Sequence, residues 1–169
     1  MIIIGIDPGL TGSFAWLDAS GAYLGVDDLP TMLAGKGTGV LKRRLNPAGL
    51  TQLVQDRLED EPCVAYLEQQ TGFGPHLGAG TVFSLGRTVG AIEGILAGLL
   101  IPVHAVPPAV WKRHFGLPGK DKERARALAI ELFPQAPLGR KKDHHKAEAL
   151  LIALFGYVQL RKDHATATT

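Results

Sequence analysis

Three stretches of this chain carry residues of the kind that bind divalent metal ions. Asp7 closes an apolar run of Ile2, Ile3, Ile4 and Ile6, and Pro8, Gly9 and Gly12 follow it. A stiff β-branched run of this kind reads as a strand buried on both faces, so its terminal carboxylate sits at the lip of a sheet. The glycines behind Asp7 remove side chains, which lets a phosphate or a metal ion approach backbone and carboxylate together. Glu68 closes a second apolar run in the setting Ala65-Tyr66-Leu67-Glu68-Gln69-Gln70. The third stretch is the start of the last helix, with Asp143, His144, His145 and Glu148 in its first turns. Helical residues three or four apart face the same way, so His145 or His144 can bind one ion together with Glu148. Complementarity to the helix dipole accounts for Asp143, but not for a glutamate set among Ala147, Ala149, Leu150 and Leu151.

These side chains need elements to hold them, and the chain reads as a regular order of strands and helices. Ile2 to Ile6, Ser13 to Leu17 and Tyr23 to Leu29 form an antiparallel meander, the last two joined through the Asp18-Ala19-Ser20-Gly21 turn. Thr31 to Leu45 is glycine-rich, contains the Lys42-Arg43-Arg44 triplet, and reads as a loop. Asn46 with Pro47 behind it opens a helix continued by Leu50, Leu53, Val54 and Leu58. Cys63 to Leu67 is a buried strand with Cys63 an ordinary buried thiol, Gly78 to Leu100 a long packed helix, and Pro102 to Val106 another strand. Helices over Pro107 to Phe115, Lys120 to Phe133 and Asp143 to Leu160 complete the order. Strands that meander and then alternate with helices make an α/β fold, a mixed five-stranded sheet flanked by helices. If the strands ending at Asp7 and Glu68 are neighbours, both carboxylates project from one edge of it.

Composition narrows the class. The chain has 169 residues, of which 46% are apolar and 20% charged, enough for one core and one domain over residues 1–160. Residues 161–169 are polar and rich in Ala and Thr, and are expected to form a flexible tail. The longest apolar stretch, Ala91 to Val106, is broken by Glu93, Gly94, Gly98, Pro102 and His104 and is too short for a membrane span. The N-terminus has no basic region before its apolar run, so a cytoplasmic location is expected. The single cysteine excludes an internal disulfide framework and a cysteine-built zinc site. Residues 1–100 carry six Lys or Arg against ten Asp or Glu, whereas residues 101–169 carry twelve against six. Lys112-Arg113-His114, Lys120 to Arg126 and Arg140 to Lys146 thus present a basic surface that suits a polyanion.

Ile4-Gly5-Ile6-Asp7-Pro8-Gly9-Leu10-Thr11-Gly12, the strand end at Glu68, the spaced glycines from Phe83 to Gly94, Pro107-Pro108-Ala109-Val110-Trp111-Lys112 and Lys146-Ala147-Glu148-Ala149 occur in the order seen in RuvC-like Holliday junction resolvases. The chain resembles that family over nearly its whole length, and its phage-borne branch most, from Ala147-Glu148-Ala149-Leu150-Leu151. The resemblance implies a ribonuclease H-like fold and a metal-dependent endonuclease of bacterial or phage-infected cells. Such an enzyme would resolve four-way DNA junctions by paired nicks, leaving a 5′-phosphate and a 3′-hydroxyl.

Carried over by motif, the acidic ligands fall on Asp7, Glu68, a residue among Asp143 to His145, and Glu148. A glutamate stands where the family more often has an aspartate, which lengthens that arm. The spacing of three to Glu148 favours His145, as in branches that use histidine there. Asp143 is the rival, about 140° round an ideal helix from Glu148. Two Mg2+ or Mn2+ ions are implied, with Asp7 bridging, Glu68 and Glu148 holding one each, and His145 binding metal or acting as general base. Histidine is accepted more readily by Mn2+ than by Mg2+. A two-fold symmetric junction implies a homodimer, for which the helix Gly78 to Leu100 is the candidate surface. Lys112, Arg113, Lys120 and Lys122 are placed to contact phosphates, and Phe73 in the loop after Glu68 to stack on a base.

Two other classes fit parts of the sequence. The Asp7-Pro8-Gly9 turn also looks like the first phosphate loop of the actin and sugar-kinase superfamily. Those enzymes duplicate the fold over a longer chain, and Gly35-Lys36-Gly37-Thr38-Gly39 lacks P-loop spacing. A non-catalytic junction-binding protein would use the basic surface alone and would have no need for three carboxylates in matching settings.

Overall fold

The computed structural model describes residues 1–9, 11–36, 41–70, 78–117 and 122–167. Seven strands and five helices follow in the order β1 (Ile2–Asp7), β2 (Ser13–Leu17), β3 (Tyr23–Asp28), β4 (Thr31–Lys36), β5 (Leu41–Leu45), α1 (Pro47–Leu58), β6 (Cys63–Glu68), α2 (Ala79–Gly98), β7 (Val103–Val106), α3 (Pro108–His114), α4 (Lys122–Leu132) and α5 (His144–Ala167). The expected mixed five-stranded sheet is present, in the order β3-β2-β1-β6-β7. β1 pairs antiparallel with β2 and parallel with β6, which pairs parallel with β7.

Strand alternation divides the core into two layers. Ile2, Ile4 and Ile6 point with Phe14 and Trp16 toward Leu50 and Val54 of α1 and Ile92 and Leu96 of α2. Ile3, Ala15, Leu17, Val64 and Tyr66 point the other way, toward Trp111, Ala125, Ala129 and the buried face of α5. All six residues of β1 are buried, as an isoleucine-rich central strand requires. Gly5 marks a close approach between the sheet and α5. A Cβ there would collide with the Ala149 carbonyl oxygen and the Ala153 backbone nitrogen, so α5 lies directly on β1.

Local signals account for most boundaries. Asn46 caps α1 by accepting from Gly49 N at 3.1 Å, with Pro47 in the first turn. Arg57 of α1 donates to both oxygens of Asp27, which also accepts from the Trp16 indole at 2.8 Å, tying α1 to the meander. Cys63 is free and half-buried, and burial pushes its thiol up. Among the described residues no helix is long and apolar enough to cross a membrane.

Three expectations are corrected. The stretch Thr31 to Leu45, expected to be a loop, holds the antiparallel pair β4–β5, with Thr31 opposite Leu45 and Leu33 opposite Arg43. Its polar triplet obscured the alternation. Arg43 donates to the Thr31 hydroxyl and carbonyl, and Leu45 is buried against the α1–α2 layer. Residues 37–40 between these strands lie outside the described residues. The last helix begins at His144, because Lys141 to Asp143 form a tighter 3-10 turn in which Asp143 accepts from Arg140 N at 2.8 Å. It also continues to Ala167, past the expected helix end at Leu160. Alanine and threonine in that segment do not break a helix already propagating.

Just past the end of α2, Leu100 is 89% exposed and left-handed at φ 59°, while Ile101 N bonds back to Leu96 O at 2.9 Å. This C-terminal motif favours glycine at that position, and no packing holds the leucine. Replacing Leu100 with Gly should raise the unfolding free energy by about 0.5–1 kcal/mol, read as a higher urea midpoint at an unchanged slope.

Candidate metal centre

The sheet brings the expected carboxylates to one edge. β1 and β6 run parallel with Ile6 beside Leu67, so Asp7 and Glu68 leave neighbouring strand ends. α5 starts above the same edge and contributes His145 and Glu148 one turn apart. One ligand atom each from Asp7, His145 and Glu148 lies within 4.8 Å of the others. Asp7 and Glu148 are 6% and 7% exposed, so both carboxylates are held away from bulk water.

Each member has a defined partner. His145 Nδ1 lies 2.6 Å from Asp7 Oδ2, and its Nε2 lies 2.8 Å from the Thr11 hydroxyl. An ionised carboxylate only accepts, so Nδ1 carries the proton in this contact and Nε2 of a neutral ring accepts from Thr11. Gly9 N approaches the other Asp7 oxygen at 3.4 Å, through the turn where Gly12 bonds back to Gly9 at 2.8 Å. Lys112 Nζ donates to Glu148 Oε1 at 3.3 Å and sits 5.0 Å from the centre of the Trp111 ring. The Trp111 indole donates to Glu68 Oε1 at 3.1 Å. Burial, with the neighbouring Asp7 and Glu148 charges adding to it, pushes the Glu68 carboxyl up from 4.5 to about 7, against the lowering effects of Trp111 and Lys112.

The remaining sequence candidates are placed elsewhere. Asp143 is 3% exposed and faces Arg140, whose guanidinium reaches it at 2.7 Å and holds its carboxyl below the usual carboxylate range. It does not join the cluster, because the tight turn before α5 directs it to Arg140. His144 packs its ring on His145 with centroids 3.9 Å apart, while its own nitrogens face Lys141 O at 3.3 Å and Lys122 Nζ at 3.1 Å. Lys112 lies inside the site, not on an open face, and Arg113 is exposed beside it. Phe73 and Lys120 lie outside the described residues. Sequence reading missed Trp111 and Thr11 as partners of the cluster, and Arg43 and Arg44 as exposed side chains on a β-ribbon. A tryptophan next to the lysine of a short helix was a usable signal, since a buried indole N–H requires an acceptor.

The donor set fits a divalent cation. Asp7, His145 and Glu148 converge with the Lys112 ammonium beside Glu148, Glu68 stands outside that group but within reach of the Asp7 and Glu148 charges, and carboxylate oxygens with one imidazole suit Mg2+ or Mn2+.

Comparison with known proteins identifies the fold. Two solved structures of Thermus thermophilus RuvC match over nearly the full length of both chains. The first is 21% identical with a TM-score of 0.57, covering 96% of this chain and 97% of that one. The second, RuvC in complex with a Holliday junction substrate, is 20% identical with a TM-score of 0.57, covering 95% and 96%. The chain therefore shares the fold of these RuvC structures. A 69-residue segment is 45% identical to the chloroplastic Holliday junction resolvase MOC1 of Chlamydomonas reinhardtii, over 39% of this chain and 8% of that protein. The match thus spans less than a tenth of the curated relative's length. No family model matches the chain.

The raised Glu68 carboxyl has a signed effect on stability. The folded state holds this proton more tightly than the unfolded chain, so stability present below pH 4.5 declines as pH rises toward 7 and is absent above it. In chelator at pH 8, Glu68→Gln should stabilise the protein by about 2 kcal/mol, and at pH 4 by much less, both read from thermal melts.

Proposed function

We propose that this protein is a metal-dependent endonuclease that resolves four-way DNA junctions by paired nicks in opposed strands. The observation that carries the reading is the meeting of Asp7, His145 and Glu148 within 4.8 Å, beside Glu68, on a RuvC fold. Phosphodiester hydrolysis builds negative charge on the oxygens around the reacting phosphorus and needs an activated water, and two divalent ions bound between these carboxylates would stabilise the one and activate the other. Asp7 would be shared by the ions, with Glu148 and Glu68 holding one each.

The chain's own groups act around that centre. Asp7 orients His145 by accepting from Nδ1, and Nε2, bonded here to the Thr11 hydroxyl, is the nitrogen that would bind metal or accept a proton from water once that hydroxyl gives way. Lys112, half-buried and already beside Glu148, can donate to a phosphate oxygen entering the site. Arg113, Lys122, Arg43 and Arg44 are exposed and suit phosphates further along the arms, giving affinity without sequence information.

A junction has two strands to cut, so the proposal includes a two-fold homodimer with one centre per chain. The outer face of α2 supports this role. Gly86, Gly90, Gly94 and Gly98 recur every fourth residue, a Cβ at any of them would meet nothing within 4 Å, and Phe83 is 70% exposed. Such a face lets a second backbone come close.

The test is cleavage of a labelled four-way junction beside a linear duplex of the same arms, with Mg2+ or Mn2+. Wild type should nick opposed strands of the junction, and Asp7→Asn should lose at least about 10³-fold in rate while still binding it, since it removes a charge the transition state requires. Junction binding without cleavage in either metal would point to the non-catalytic class, and no binding at all would sink the reading. The imidazole ligand also predicts a metal preference: wild type should be faster in Mn2+ than in Mg2+. Replacing His145 with Asp should narrow that gap about 10-fold in initial rates.

A further inference from the structure

We propose that Trp111 is the positioning residue for Glu68, its indole N–H holding the carboxylate in the orientation from which Glu68 binds metal. The inference deepens the metal-dependent reading above and rests on it.

Trp111 is fully buried in α3, packed in the same layer as Val106, Leu117 and Phe155, so its ring has one available orientation. A buried indole has a single donor and needs one acceptor. Here that acceptor is Glu68 Oε1 at 3.1 Å and not a backbone carbonyl. Among the described residues, the other Glu68 oxygen is met by Gln70 Nε2 at 3.5 Å, the limit of a hydrogen bond, from a flexible amide beyond the strand end. Trp111 is therefore the rigid support of this carboxylate.

Glu68 needs such support more than its neighbours do. It has three rotatable bonds at the end of β6, and the nearby charges of Asp7 and Glu148 oppose its ionised form in this place. Asp7 is short and held by Gly9 and His145, while Glu148 rises from a rigid helix and is paired with Lys112. An N–H on Oε1 favours that form and still leaves Oε2 for a cation. The support has its own foundation. Pro107 and Pro108 start α3 where β7 ends at the site edge, and the next residue, Lys112, reaches Glu148 at 3.3 Å. Two consecutive residues of one short helix thus hold two of the carboxylates.

The test is Mn2+ binding to the full chain without DNA, at one fixed pH, followed by electron paramagnetic resonance of the unbound ion and by calorimetry. Wild type should bind two ions. Trp111→Phe should weaken one of them by about 10-fold and leave the other within about two-fold, as expected when an outer support of a metal ligand is lost. Glu68→Gln should weaken that same ion, and adding Trp111→Phe in this background should change nothing further, whereas a merely structural tryptophan would cost the same in both backgrounds. Because Phe leaves a gap in the core, a second variant carries benzothienylalanine at position 111, which keeps the bicyclic ring and replaces N–H with sulfur. It should reproduce the selective loss. Two-ion binding by that variant at wild-type strength would overturn the assignment alone, as would equal weakening of both ions. A wild-type chain that takes up no Mn2+ would overturn the metal-dependent reading and this assignment with it.

Discussion

The contact between α5 and β1 at Gly5 sets the geometry on which the rest of the structure depends. With no side chain at that position, the helix backbone around Ala149 and Ala153 descends onto the strand. Strand direction places Asp7 two residues beyond this contact, and helix direction places Glu148 and His145 just before it, so one interlayer distance determines how closely the three converge. Any side chain at Gly5 would lift the helix and part the cluster, even though it lies in the core and touches no ligand atom. The small residues on α5 serve the same end, since Ala149 and Ala153 are one turn apart on the face that meets the strand.

Drawing three carboxylates together is unfavourable, and the surroundings show how the chain offsets it. Every element at the site edge sends in a donor: the β1–β2 turn through Gly9 N, α5 through His145, and α3 through Trp111 and Lys112. Further out, Lys146 pairs with Asp28 at 3.2 Å and Arg140 with Asp143 at 2.7 Å, which keeps neighbouring acids from adding to the field at the centre. Burial and the charges of Asp7 and Glu148 together raise the proton affinity of Glu68 despite these donors. A site arranged this way is poised for a cation in the sense that an ion relieves strain already present.

Much of this was legible in the residues themselves. The apolar runs before Asp7 and Glu68 announced buried strands with carboxylates at their ends, and the helical spacing of His145 and Glu148 announced a shared face. What could not be read was orientation at element boundaries. Asp143 belongs to the same short acidic and imidazole cluster as His145, yet one tight turn sends it to Arg140, and nothing in its spacing reveals which partner wins. The β4–β5 ribbon escaped notice for a different reason: glycines and charges are what loops are made of, and the pairing is supplied by backbone groups that have no sequence signature. Trp111 was visible only as a core aromatic, because its useful atom is one N–H whose acceptor lies 43 residues earlier in the chain.

That ribbon differs from the sheet beside it in how it is held. β3 ends with Asp28 opposite Ser13, itself opposite Asp7, so the chain leaves the sheet at the reactive edge before entering β4. Yet among the described residues β4 and β5 pair only with each other, and Leu45 is their buried anchor. A two-stranded ribbon exposed on both faces, as at Met32, Leu33, Arg43 and Arg44, opens at far lower cost than a central strand covered on both faces. The protein thus joins at one edge a sheet buried on both faces, which fixes the carboxylate cluster, and a ribbon that could deform at low cost without disturbing the contact at Gly5.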